Sequence, residues 1–319
     1  MISQIDQNVY DAAHQSAVWV DRSNLGMLKF SGETRLDLIH RMSTQAINGL
    51  QSGQGTATVL TTDIGRIIDR LLLYTASDTV YALTGENNAD NIARYLMRFV
   101  FFTDDFHIQD ISIETTIYAI YGPQASRILG EEVGFPEVVI PLHHWREAEI
   151  AGVTAYLHRT DPINGNGYFI MCETTDATVL QQFLQETSLV EATESAFDFL
   201  RIEAGLPRFG RELTQEYIPL EAGLWDDVSF TKGCYIGQEI IARMESRGKL
   251  AKRLVKLRPS AQVEVGSGIT AGGKKAGTIT STAVGVNGPV ALGYVKTAVL
   301  EDGGELMAGT VPIKHLNTT

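Results

Sequence analysis

The 319-residue chain has 26 basic and 38 acidic side chains, a formal net charge of −12, with 44% hydrophobic and 20% charged residues. This composition fits a globular protein of two or three modules and excludes a disordered chain, and the acidic balance disfavours a broad surface for direct nucleic-acid binding. No apolar run approaches the ~20 residues of a membrane span, and the opening Met1-Ile2-Ser3-Gln4-Ile5-Asp6 has neither a basic leader nor an apolar stretch, so a cytoplasmic protein with Cys172 and Cys234 as free thiols is expected.

The first part of the chain alternates strand-like and helix-like runs. Leu25 to Phe30 reads as a strand, and Ser31 to Thr34 offers a helix start for Leu36, Ile39 and Met42 on one face. Thr56 to Thr62 and Arg66 to Thr75 form a hairpin pattern around the turn Asp63-Ile64-Gly65. Thr79 to Thr84 continues the sheet, and Asn87 or Asn88 can cap a helix carrying Ile92, Tyr95, Leu96 and Phe99 inward. A second run follows, with two strands between His107 and Tyr121, a short helix opened by Pro123, and strands Val153 to His158 and Tyr168 to Cys172. Asp161 to Gly167 reads as a loop of the kind that carries binding groups. The fold class is therefore α+β.

Composition changes near Leu250. Eleven glycines fall among the last 60 residues, with short strand-like runs such as Gly277 to Ser281 and Val290 to Val295 between turns. Short strands between glycine turns indicate a small β-barrel or sandwich, which divides the chain into regions 1–249 and 250–319.

Three constellations are candidates for chemistry. In Lys232-Gly233-Cys234-Tyr235-Ile236-Gly237-Gln238-Glu239, two glycines permit tight turns around a cysteine. If the Lys232 ammonium meets the Cys234 sulfur it favours thiolate; the alternative is a structural thiol buried with Tyr235 and Ile236. Cys172, inside a strand, reads as a core residue. In the second constellation, Arg201-Ile202-Glu203-Ala204-Gly205-Leu206-Pro207 ends a helix, and Glu203 in its last turn needs a compensating partner, either Arg201 or a ligand with paired N–H donors. The third is basic: Arg243, Arg247, Lys249, Lys252, Arg253, Lys256 and Arg258 form a local positive field suited to an anionic ligand tail, or else a solvated face. His143-His144 lacks companions for a metal set, and no Cys-x-x-Cys, His-Glu-x-x-His or phosphate-loop pattern occurs, so no metal site is expected.

The stretch Lys232 to Glu239 resembles the Lys-Gly-Cys-(Tyr/Phe)-x-Gly-Gln-Glu signature of YgfZ-type proteins, folate-binding relatives of the glycine-cleavage T-protein, an aminomethyltransferase. Asp21 to Gly26 is similar to the opening of that superfamily, Gly65 to Asp69 to its hairpin with an acidic residue, Arg201 to Gly205 to its pterin-site helix end, and Arg247-Gly248-Lys249 to the bridge into its barrel. The resemblance implies a GcvT-like ring of mixed α/β subdomains around a central folate-sized cavity, two or more of them in 1–249, closed by the C-terminal β-barrel. It implies tetrahydrofolate or a one-carbon derivative as cofactor: Glu203 accepting from the pterin edge, Asp69 facing the reduced ring, Tyr168 as an aromatic wall (with Phe169 where a Gly-Tyr-Glu motif has glutamate), and Arg243 or Arg247 meeting the glutamyl tail.

Two functions follow from the resemblance. The first is support of the assembly, maintenance or repair of iron–sulfur enzymes, tRNA-modifying ones included, with iron–sulfur proteins or assembly factors as partners and Cys234 as the working residue. The second is aminomethyl transfer to tetrahydrofolate with Asp69 as the key carboxylate. Arg70 stands where the transferase hairpin has a second acid, which favours the first. A folate-sensing protein without chemistry is a third alternative. Since a cluster takes about four thiolates, any cluster at Cys234 would be shared or transient.

Overall fold

The computed structural model describes residues 3–134 and 140–316, apart from a few side chains that include Arg247. The hairpin at Asp63 to Gly65 sets the first sheet: Gly55–Thr61 and Ile67–Thr75 pair antiparallel, and Gly65 takes a left-handed φ of 70° in the turn. Val80–Glu86, Leu25–Ser31 and His107–Asp110 complete five antiparallel strands. Alternation along these strands divides the apolar residues between two faces. Leu28, Phe30, Leu60, Leu71 and Leu73 pack under the helices Arg35–Met42 and Ala89–Met97, while Met27, Ala57, Leu72 and Tyr74 turn toward the middle of the molecule.

The second sheet has six strands, in the order Val190–Glu191, Val18–Asp21, Thr115–Tyr121, Asn166–Glu173, Val153–Ile163, Trp145–Ile150. Its outer face, with Trp19, Tyr118, Ile120 and Ile170, is covered by the helices Ala125–Glu131 and Ala177–Gln185, and its inner face presents Ala119, Tyr121, Phe169 and Met171 to the middle. The helix Glu194–Ala204 lies between the layers, with Ala196 to Ile202 all buried. Thr193 caps its start by accepting from the Ala196 amide at 3.2 Å, and Gly205 ends it with φ 89°, a conformation open to glycine.

The last region is a closed barrel of six strands. Lys274–Gly285 pairs with both Gly268–Ala271 and Gly288–Lys296, and Lys252–Pro259 pairs with both Gly288–Lys296 and Val311–Leu316; Leu306–Ala308 completes the circuit. Leu257, Ile269, Ile279, Val295 and Ile313 fill it. The strand Ser3–Gln4 adds to this sheet in parallel register with Ala283 and Val284, so the barrel's sheet takes a strand from outside region 250–319.

Two local expectations change. The segment expected as a loop from Asp161 to Gly167 is strand on both sides of a two-residue turn, Asn164 (φ 52°) and Gly165 (φ 114°), with Ile163 paired to Asn166. Asn-Gly with both φ positive matches the right-handed twist of the flanking strands and allows a tight hairpin. Asn88 precedes its helix but makes no side-chain cap; its amide is engaged elsewhere.

Candidate functional site

A cavity of about 560 Å³ opens where the two sheets, the central helix and the barrel meet. Its apolar wall includes Leu72 and Leu83 from the first sheet, Tyr121 and Phe169 from the second, Phe197 from the helix and Leu292 from the barrel. Volume and lining suit a ligand with a flat ring system.

Charge in the wall is almost fully paired. Arg70 reaches Asp161 and Asp227, each at 2.6 Å, and these carboxylates hold its guanidinium above its already high ordinary pKa despite burial. Arg22 bonds Glu86 at 2.5 Å and Glu194 at 2.6 Å. Arg208 bonds Glu86 at 2.9 Å, Glu194 at 2.5 Å and Asp198 at 3.2 Å. Arg201 is buried and held by Asp198 at 2.8 Å, Glu212 at 2.6 Å and the Ser281 hydroxyl at 2.6 Å, tying helix, loop and barrel together. Lys256 also lines the cavity, and among the described residues it has no carboxylate partner. An anionic ligand tail would find its counter-charge there.

Asp69 is in this wall but fully buried. Its carboxylate accepts from the amides of Arg70 (2.8 Å) and Gly85 (2.9 Å) and from Asn88 Nδ2 (2.8 Å). Burial outweighs these three donors and pushes its pKa up to about 7. His143, in the same wall, has a left-handed φ of 61° and a buried Nδ1 with no hydrogen-bond partner among the described residues. Burial lowers its pKa, so it is a neutral group able to donate to or accept from a ligand. This orphaned nitrogen, the apolar walls and Lys256 together fit a folate: ring, polar edge and anionic tail.

The other predicted residues lie elsewhere. Tyr168 points to the outer face, where its hydroxyl bonds Ser126 at 2.6 Å and also meets Arg159; one step along the strand, Phe169 supplies the cavity wall. Glu203 lies outside the cavity lining, its Oε2 3.0 Å from His14 Nε2 on the helix Gln7–Gln15. Arg243 is exposed on the helix Gln238–Arg247, away from the cavity, and the Arg247 side chain lies outside the described residues. Of the polar wall residues, the sequence offers His143 only as half of a histidine pair without metal companions and Lys256 only as one cation of the basic run, and it does not single out Arg22 or Arg208.

The cysteine motif forms a separate feature. Lys232 does not meet Cys234. Its ammonium donates to the carbonyls of His40, Ser43 (2.7 Å) and Gln45 (3.0 Å), capping the helix Arg35–Met42, and lies 5.1 Å from the Tyr235 ring. Tyr235 is buried, and the Thr61 hydroxyl donates to the Ile236 carbonyl at 2.6 Å. Gly237, at φ 84°, lies so close to the hairpin that a Cβ would sit 2.5 Å from the Thr62 carbonyl oxygen. With its neighbours fastened inward, Cys234 is left exposed as a free thiol. The same segment, traced back seven residues, begins at Asp227 in the cavity wall.

Comparison with known proteins matches this architecture. The family described as GCVT N-terminal domain matches residues 3–232, and that described as CAF17, C-terminal beta-barrel domain, matches 252–317. A putative chloroplastic transferase of Arabidopsis thaliana is 31% identical over 311 residues, covering 95% of this chain and 71% of that protein. An aminomethyltransferase of Halalkalibacterium halodurans is 29% identical over 245 residues, covering 75% and 67%. The crystal structure of the glycine cleavage system aminomethyltransferase T from Bartonella henselae superposes with a TM-score of 0.82 at 22% identity, over 95% of this chain and 85% of that one, which shows a shared fold.

Proposed function

The chain belongs to the GCVT N-terminal domain family and ends in a CAF17-type barrel, and from that premise we propose that it binds tetrahydrofolate in the central cavity and supports the assembly, maintenance or repair of iron–sulfur enzymes, tRNA-modifying ones among them. Cys234 is the working residue. The observation that carries this reading is the segment 232–239: Lys232, Tyr235, Ile236 and Gly237 are all committed to packing or hydrogen bonds, and their joint effect is to hold one thiol in solvent. An exposed thiol on a fixed loop suits transient engagement of a partner's sulfur or iron. In the cavity, Phe169, Tyr121 and Phe197 would flank the pterin, His143 would meet a polar edge and Lys256 the glutamyl tail. Cytoplasmic placement is part of the same proposal; no helix among the described residues is long and apolar enough to cross a membrane.

Cys234→Ser tests the assignment. The variant is expected to fold, to bind 5-formyltetrahydrofolate by calorimetry as the parent does, and to fail to complement cells with weakened iron–sulfur enzymes; full complementation would overturn the role of the thiol. For the ligand, Lys256→Gln should weaken a triglutamyl folate more than a monoglutamyl one, and no heat of binding with either would remove folate from the proposal.

Aminomethyl transfer is the second reading, favoured by relatives that bear that name. Against it, Asp69 is fully buried with its carboxylate taken up by three donors, and its neighbour is Arg70 locked between two carboxylates. Turnover of a lipoylated carrier protein with tetrahydrofolate would establish it over the first reading.

A further inference from the structure

A second cavity, of about 620 Å³, lies in the seam between the five-stranded and six-stranded sheets and shares no lining residue with the central one. We propose that it is a binding site for an uncharged, flat aromatic molecule carrying one hydrogen-bonding group.

The walls define the shape. Tyr81 comes from the first sheet and Trp145, Tyr156 and His158 from the second, with the thioethers of Met27 and Met171 between them. Trp145 and Tyr156 meet edge to face at 5.6 Å, and Trp145 lies nearly parallel to the His158 ring at 5.9 Å. Trp145 is locked by its indole N–H, which donates to the Thr75 carbonyl at 3.1 Å, so this wall is preorganised. Aromatic faces and polarizable sulfur favour a flat π-system.

Charge excludes the folate class. Among the described residues no lysine or arginine lines the cavity, and the carboxylates of Glu114 and Glu173 are exposed at its mouth, so a glutamyl tail would be repelled. The interior is neutral as well: burial pulls His158 down to about 3 and pushes the Cys172 thiol up to about 11. A buried cation has nothing to pair with inside and would lose its hydration.

His158 supplies the polar contact. It is only 3% exposed, its ring forms part of the wall, and its imidazole makes no hydrogen bond among the described residues. Buried imidazole nitrogens are ordinarily paired, and a ligand N–H or O–H, or a carbonyl if the tautomer changes, would satisfy this ring.

The test uses N-phenyl-1-naphthylamine, a neutral aromatic amine whose fluorescence rises in apolar surroundings, with the full chain. Saturable binding of one probe per chain is expected, undisturbed by saturating 5-formyltetrahydrofolate. Thr175→Trp, at the exposed mouth, should abolish binding, and His158→Phe should weaken it about tenfold while keeping the ring's shape. Absence of saturable binding, displacement by the folate, or unchanged affinity in the Thr175→Trp protein would each overturn the site. Folate binding is read separately in the central cavity, so failure of either site leaves the other standing.

Discussion

Asp69 makes the stability of the protein depend on pH in a direction opposite to that of most carboxylates. Its folded pKa of about 7 lies above the ordinary 3.8. Between these values the folded chain holds a proton that the unfolded chain has released. Its contribution to stability is therefore complete below about pH 4 and is lost as pH rises through 7. At 1.36 kcal/mol per pH unit, the gap between about 7 and 3.8 corresponds to about 4 kcal/mol across the window. Asp69→Asn removes the titration while retaining the shape; it also places an amide N–H against one of the three donors, a constant cost independent of pH. Urea unfolding of both proteins from pH 4 to pH 8 separates the effects. The stability difference, parent minus variant, should fall steadily by about 4 kcal/mol as pH rises. A flat difference would refute the burial argument and mean that the three donors match or outweigh desolvation, since a carboxylate with a pKa at or below 3.8 is ionised in both states over most of this range.

Other substitutions probe the framework. Arg70→Met leaves Asp161 and Asp227 facing each other without a cation and should cost about 3–5 kcal/mol in urea unfolding near neutral pH. Lys232→Met strips three carbonyls of their donor; a loss of about 2 kcal/mol is expected, together with faster labelling of Cys234 by a disulfide reagent as its loop loosens. Gly237→Ala forces a left-handed φ and a clash with the Thr62 carbonyl, and should lower stability by about 2 kcal/mol without altering calorimetric folate binding. Mass spectrometry of the native parent after brief alkylation should find Cys234 modified and Cys172 protected until the chain unfolds.

The sequence displayed what is local. The turn at Asp63 to Gly65 and the helix stop at Gly205 follow from residue types at fixed spacing and occur as expected. Side-chain destinations depend on distant partners. The carbonyls that take up Lys232 lie some 190 residues earlier in the chain, so its nearness in sequence to Cys234 misled. Glu203 fails to reach the cavity for a phase reason: at about 3.6 residues per turn, two steps from Arg201 is about 200° around the helix. Tyr168 and Phe169 differ by one strand step and so face opposite sides. His143 stands out in the sequence only as half of a histidine pair, since a left-handed histidine with an unpaired nitrogen is visible only once the backbone is in place.

The pairing of Ser3 and Gln4 with Ala283 and Val284 bears on how the chain acquires its structure during synthesis. Roughly 280 residues separate the partners, so this contact carries one of the largest loop-closure penalties in the molecule. A ribosome releases Ser3 long before the barrel strand it joins, and until then that strand has no sheet to enter. The two sheets and their helices can consolidate first, with the Ser3–Gln4 strand closing afterwards as a late clasp. Trimming those few residues should then leave the early steps of refolding unchanged and speed unfolding of the barrel.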